Sequence, residues 1–142
     1  MLRLLFLVFL LTACGSEDGP KVNPALQAGL DIYLSVAPAV DGDRLKSLTL
    51  QFCDTPTGRQ GRCNWDDKDA LGFTLATKND ICIRDTQPDS PVLRALVAHE
   101  LAHCLHRINH SNDPKSLMFP DIPDDNAFWS EHLNESIAKI FE

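Results

Sequence analysis

No run of lysine or arginine occurs anywhere in the 142 residues, and the formal net charge is −7. A nucleic-acid-binding surface therefore has no electrostatic footprint, and anionic headgroups would not draw the chain to a membrane. A membrane-spanning stretch is also missing: the apolar run Leu4–Leu11 falls far short of the roughly 20 residues that a spanning helix needs. The five cysteines include no C-x-x-C pair, which argues against a zinc knot made of cysteines alone. There is no internal repeat and no low-complexity tract. Methionine is scarce, with only Met118 besides the initiator.

What is present begins with an address. Arg3 precedes the run Leu4–Leu11, and Thr12-Ala13-Cys14-Gly15 follows it, the pattern of an export signal. The stretch Leu11-Thr12-Ala13-Cys14 resembles the lipobox of bacterial lipoproteins. That resemblance implies cleavage before Cys14 and lipidation of its thiol and new amino group. Residues 1–13 would then be a lipoprotein signal peptide and residues 14–22 a lipidated, polar tether. The chain would sit at a bacterial cell envelope, on the outer-membrane or periplasmic side in a Gram-negative cell. The plain alternative is a secretory signal with an incidental cysteine.

Residues 23–142 remain for one folded domain with a small core, and small cores often need staples. Cys53, Cys63, Cys82 and Cys104 form an even set in an exported chain and are disulfide candidates. Three pairings are open. The polar loop between Cys53 and Cys63 makes that pair plausible, leaving Cys82 with Cys104.

The pattern along this domain predicts an α+β fold with a small, mostly antiparallel or mixed sheet. Asn23-Pro24 starts a first helix that Pro38 stops. Leu48–Phe52 alternates as a strand does, and Leu71–Thr77 and Asp80–Arg84 suggest two more. Residues 54–69 look like a long polar loop tied by a disulfide. Ser90 can cap a second helix, with Pro91 in its first turn and no glycine or proline from Val92 to Arg107. Asp125–Glu142 forms a last amphipathic helix.

The second helix carries the chemistry. It contains His99-Glu100-Leu101-Ala102-His103, and two histidines four residues apart share one helix face. Two imidazoles can then reach one metal ion while Glu100 reaches a water beside it. Four of the five histidines lie between His99 and His110. Downstream, Ser116-Leu117-Met118-Phe119-Pro120 follows a polar turn.

H-E-L-A-H, a later histidine and S-L-M-F-P together resemble the zinc helix and Met-turn of the metzincin metallopeptidases, most of all the matrix-metalloproteinase type. The resemblance covers His99–Pro120 well and the upstream strands only in outline. It implies a minimal metzincin-like zincin domain with an active-site helix, a Met-turn and a C-terminal helix. It further implies one catalytic Zn2+ on His99, His103 and His110, Glu100 as general base, and Met118 as a hydrophobic floor. The activity would be hydrolysis of peptide bonds in a protein or peptide substrate, by a chain expected to be a monomer. The wall around Ser116–Pro123 would shape a substrate pocket.

One departure stands out. The family pattern is H-E-x-x-H-x-x-G-x-x-H, yet His106 occupies the glycine position and Asn109 the last histidine position. A one-residue insertion between the helix and His110 restores the count to Met118, with Asn109 making the left-handed turn. His106 shares the face of His99 and His103 but lies about 10 Å from His99 along the axis, too far for one ion. Glu131 and Glu135 on the last helix are the carboxylate alternatives, and His132 is expected to be a surface residue. Two other functions stay open: a non-catalytic zinc-binding envelope lipoprotein, and an interaction module using the polar loop.

Overall fold

A computed structural model describes residues 19–53, 61–64, 79–84 and 89–142. Cys14 and the strand expected at Leu71–Thr77 lie outside the described residues. In chain order the elements are β1 (Lys21–Val22), a 3-10 turn (Pro24–Leu26), α1 (Gln27–Val36) and α2 (Gly42–Lys46). They continue with β2 (Leu48–Phe52), β3 (Gly61–Asn64), β4 (Asn79–Ile83), α3 (Pro91–His106) and α4 (Asn126–Lys139).

The fold is mixed α and β, as the patterning predicted, but the sheet is not mostly antiparallel. Its order is β1-β2-β4-β3. The first three strands run parallel, and only β3 is antiparallel, to β4. Two of the strands were not expected. Lys21-Val22 pairs with Thr49-Leu50, so pairing begins inside the segment read as tether. Gly61–Asn64 pairs with β4 from within the presumed polar loop. Neither is long enough for alternation to show, and both are held by backbone bonds that side-chain patterns do not report.

The central element is α3. Asn126 Oδ1 accepts from the Val92 amide, and Ser90 Oγ accepts from the Leu93 amide, which caps the helix as its sequence predicted. Twelve of its residues are buried, on every side of the cylinder. Such burial needs neighbours all round. One face takes α1 through Leu30 and Tyr33, where Gly29 lies so close that a Cβ there would stand 2.7 Å from Val97 Cβ. Another takes α4 through Trp129, Leu133 and Ile137, spaced by one turn. The sheet covers a third with Leu48, Leu50, Ile81 and Ile83, all at most 1% exposed.

The staples also differ from the expected pairs. Cys53 is bonded to Cys82 and Cys63 to Cys104, each with Cα atoms 5.6 Å apart. The first follows from the parallel register: Gln51 lies opposite Cys82 on β4, so Cys53, two residues on, reaches back to it. The second ties β3 to α3. Pairing by nearness in sequence failed because β3 turns Cys63 toward the helix and away from Cys53.

Candidate metal centre

His99 is 4% exposed and His103 is half-buried, while His110 stands in the open on the loop after the helix. One nitrogen from each gathers with the others, all within 4.8 Å of one another. The rings meet accordingly: centroids lie 4.6 Å apart for His99–His103 and for His103–His110, and 5.3 Å for His99–His110. The three histidines named from the motif are therefore brought to one point, close enough to hold a metal ion.

Their back nitrogens show how they are aimed. His99 Nδ1 lies 2.7 Å from the Leu117 carbonyl and His103 Nδ1 lies 2.6 Å from the Ile108 carbonyl. A carbonyl only accepts, so each Nδ1 carries a hydrogen and donates it. In the neutral rings that leaves both Nε2 atoms as acceptors. Yet these two atoms face each other across 3.0 Å. Two lone pairs at that distance repel, and a cation beside both removes the repulsion. Nitrogens on a tetrahedral metal at about 2.0–2.1 Å sit roughly 3.3 Å from each other, close to the spacing found.

Electrostatics favour the neutral, ligating form. Burial pushes the His99 pKa from 6.5 down to about 4; its bond to Leu117 opposes this, and the neighbouring His103 and His110 add to the fall. His103 is lowered too, first by burial and then by His110, against its bond to Ile108. At neutral pH neither ring spends a proton to bind a metal.

Local structure explains how His110 arrives. Helix α3 ends at His106, and the left-handed residue is Arg107, with φ 57° and ψ 37°. Asn109, the expected turning residue, does not do this. The Arg107 amide donates to the His103 carbonyl and the Ile108 amide to the Ala102 carbonyl, so two helix-end acceptors are satisfied. The helix thus runs through His106, and the chain turns out of it at Arg107. His110 follows Arg107 by three. Its loop closes on itself where the Ser111 amide donates to the Met118 carbonyl at 2.8 Å. Met118 is 1% exposed, and Leu117 beside it supplies the acceptor for His99.

Glu100 is 5% exposed. One residue on from His99, its side chain leaves the helix about 100° away and lies against Gly61 of β3. His106 takes no part in the centre. Its Nδ1 lies 2.6 Å from the Tyr33 hydroxyl and its Nε2 lies 3.2 Å from the Pro38 carbonyl. It braces α3 against α1. Glu131, His132 and Glu135 form exposed contacts of 3.8–3.9 Å among themselves on α4 and are not in the cluster.

Three participants escaped the sequence. The carbonyls of Ile108 and Leu117 carry no side-chain signal. Gly61 was one glycine in a stretch read as a polar loop. Comparison of the chain with protein-family models, with curated proteins and with solved structures finds no match. No helix among the described residues is long and apolar enough to cross a membrane.

Proposed function

We propose that the chain is a zinc-dependent endopeptidase of metzincin type, held at a bacterial cell envelope by a lipid on Cys14. The observation that carries this reading is the convergence of three histidines, two with Nδ1 pinned to carbonyls, beside a buried glutamate. Three imidazoles with one side open are the donor set of a catalytic rather than a structural zinc, which closes its fourth position with protein. The exposure of His110 supports an open side. Arg107 precedes His110 by three residues, as the glycine precedes the last histidine in the resembled family.

Bound zinc would supply Lewis acidity toward a water and a substrate carbonyl. The protein's own groups do the rest. The carbonyls of Leu117 and Ile108 hold the His99 and His103 rings in one tautomer and one orientation. Glu100 takes a proton from the attacking water at a carboxylate oxygen and returns it to the leaving amine. Met118 and Leu117 close the floor against bulk water.

Zinc stoichiometry and cleavage of a peptide library test the reading together. Wild type should bind one zinc per chain and cleave. Glu100→Gln should keep the zinc and lose about 100-fold or more in kcat, the usual weight of a general base. Less than one zinc per chain, or full activity in that variant, refutes the proposal. Zinc binding with no cleavage in wild type would favour a non-catalytic zinc-binding lipoprotein.

A further inference from the structure

Strand β3 is fastened alongside α3 at two places. The Glu100 carboxylate lies against Gly61, and Cys104 is bonded to Cys63. Two residues of strand advance about 6.6 Å and four of helix about 6 Å, so both contacts fit one shared register. Glu100 and Cys104, four apart, leave the helix on the same face, toward β3.

We propose that Gly61 is a positioning residue for Glu100, its missing side chain forming the seat of the carboxylate; this rests on the peptidase reading of the site. A Cβ at Gly61 would stand 2.6 Å from Glu100 Oε1, 2.8 Å from its Cγ and 2.9 Å from its Cδ. Three atoms of one side chain inside 3.0 Å cannot be cleared by turning the carboxyl group alone. Cγ and Cδ must move as well, and Glu100, 5% exposed, is enclosed. The strand cannot back away freely, because Cys63 anchors it two residues on to the residue after His103. The requirement is one of space, since Gly61 lies in regular β3 pairing opposite Ile83 and not at a left-handed turn. Any side chain there displaces the proton carrier and leaves the histidines in place.

The test compares wild type, Gly61→Ala, Glu100→Ala and the double variant, each as full chain loaded with zinc. Gly61→Ala should keep one zinc and a KM within about twofold of wild type, as expected when only the transition state is affected. Its kcat should fall roughly 10- to 100-fold, the cost of misplacing a reacting group by about 1 Å. Alanine at position 100 lacks all three colliding atoms, so adding Gly61→Ala to Glu100→Ala should lower its residual kcat by less than about threefold. Equal losses in both backgrounds, or a kcat near wild type in Gly61→Ala, overturn the proposal. Melting temperatures give a second reading that needs no activity. Gly61→Ala should melt below wild type, while Gly61→Ala/Glu100→Ala should match Glu100→Ala. A double variant that melts below Glu100→Ala by as much as Gly61→Ala melts below wild type also overturns it. Absence of cleavage by wild type would refute the peptidase reading alone, with the melting comparison still deciding the contact.

Discussion

Tyr33→Phe removes a single oxygen and should cost the protein measurable stability while leaving its metal centre intact. Tyr33 is fully buried, and burial raises its pKa well above the ordinary phenol value, so its hydroxyl stays a donor. Its partner is His106 Nδ1 at 2.6 Å. The ring's other nitrogen must donate to the Pro38 carbonyl, which leaves Nδ1 of the neutral ring as an acceptor. Burial lowers the His106 pKa, with Arg44 adding to the fall against the Pro38 bond, and so favours that neutral ring. Without the hydroxyl, a half-buried acceptor loses its donor inside the α1–α3 joint. Such a loss costs about 1–3 kcal/mol, toward the lower end where water still reaches the site. For a domain of this size, 1–2 kcal/mol lowers the melting temperature by roughly 4–10 °C. His106→Ala should cost more, because it also removes the edge contact with Phe141 at 4.8 Å. In that background Tyr33→Phe should add less than about 0.5 kcal/mol, since the bond is already gone. Calorimetry of the four proteins measures this, with zinc content in parallel. Strictly additive losses, an unchanged melting temperature in Tyr33→Phe, or zinc lost by either single variant would refute the brace.

Removing one of the three clustered histidines should behave in the opposite way: His110→Ala should weaken zinc binding by at least about tenfold in a competition titration while His106→Ala leaves it unchanged. Peptide mapping by mass spectrometry should find Cys53 joined to Cys82 and Cys63 to Cys104. Replacing the second pair by serine opens a loop with a separation of 41 residues and should cost about 4 kcal/mol in chemical denaturation. Acid should destabilise the metal-free protein through His99. Its folded pKa of about 4 lies below the ordinary 6.5, so the unfolded chain binds more protons between those values. The stabilisation is complete above pH 6.5 and disappears as pH falls toward 4, at most about 3 kcal/mol from this ring. Urea midpoints across that range check it, and a midpoint independent of pH would contradict the burial of His99.

The parts visible in the sequence were those written in side-chain spacing. His99 and His103 had to share a face once α3 was a helix, and Ser90 and Pro91 marked where that helix starts. Rise per residue set His106 apart from His99, and in the structure its partners are Tyr33 and Pro38. The parts that stayed hidden were settled by the backbone or by distant packing. Asn109 was expected to turn the chain because asparagine tolerates a left-handed conformation, but Arg107 turns it. The tertiary positions of Ile108 and His110 outweigh a preference worth about 1 kcal/mol. Parallel pairing of β1, β2 and β4 leaves no mark in strands of two to five residues. The disulfide partners were hidden for the same reason, since Cys63 meets Cys104 only after β3 has been laid along α3.

The way α3 stops has a consequence for when the centre exists. Between Arg107 and Met118 the chain ends a helix, presents His110, and offers the carbonyls of Ile108 and Leu117 to the other two histidines. A local opening of this loop therefore withdraws His110 and releases the rings of His99 and His103. Metal affinity and loop closure are one equilibrium. Amide hydrogen exchange at Ile108 and Ser111, whose N–H groups close the loop, should slow by the same factor by which bound zinc favours the closed form. These two amides would gauge how firmly a metal ion is held by the three histidines.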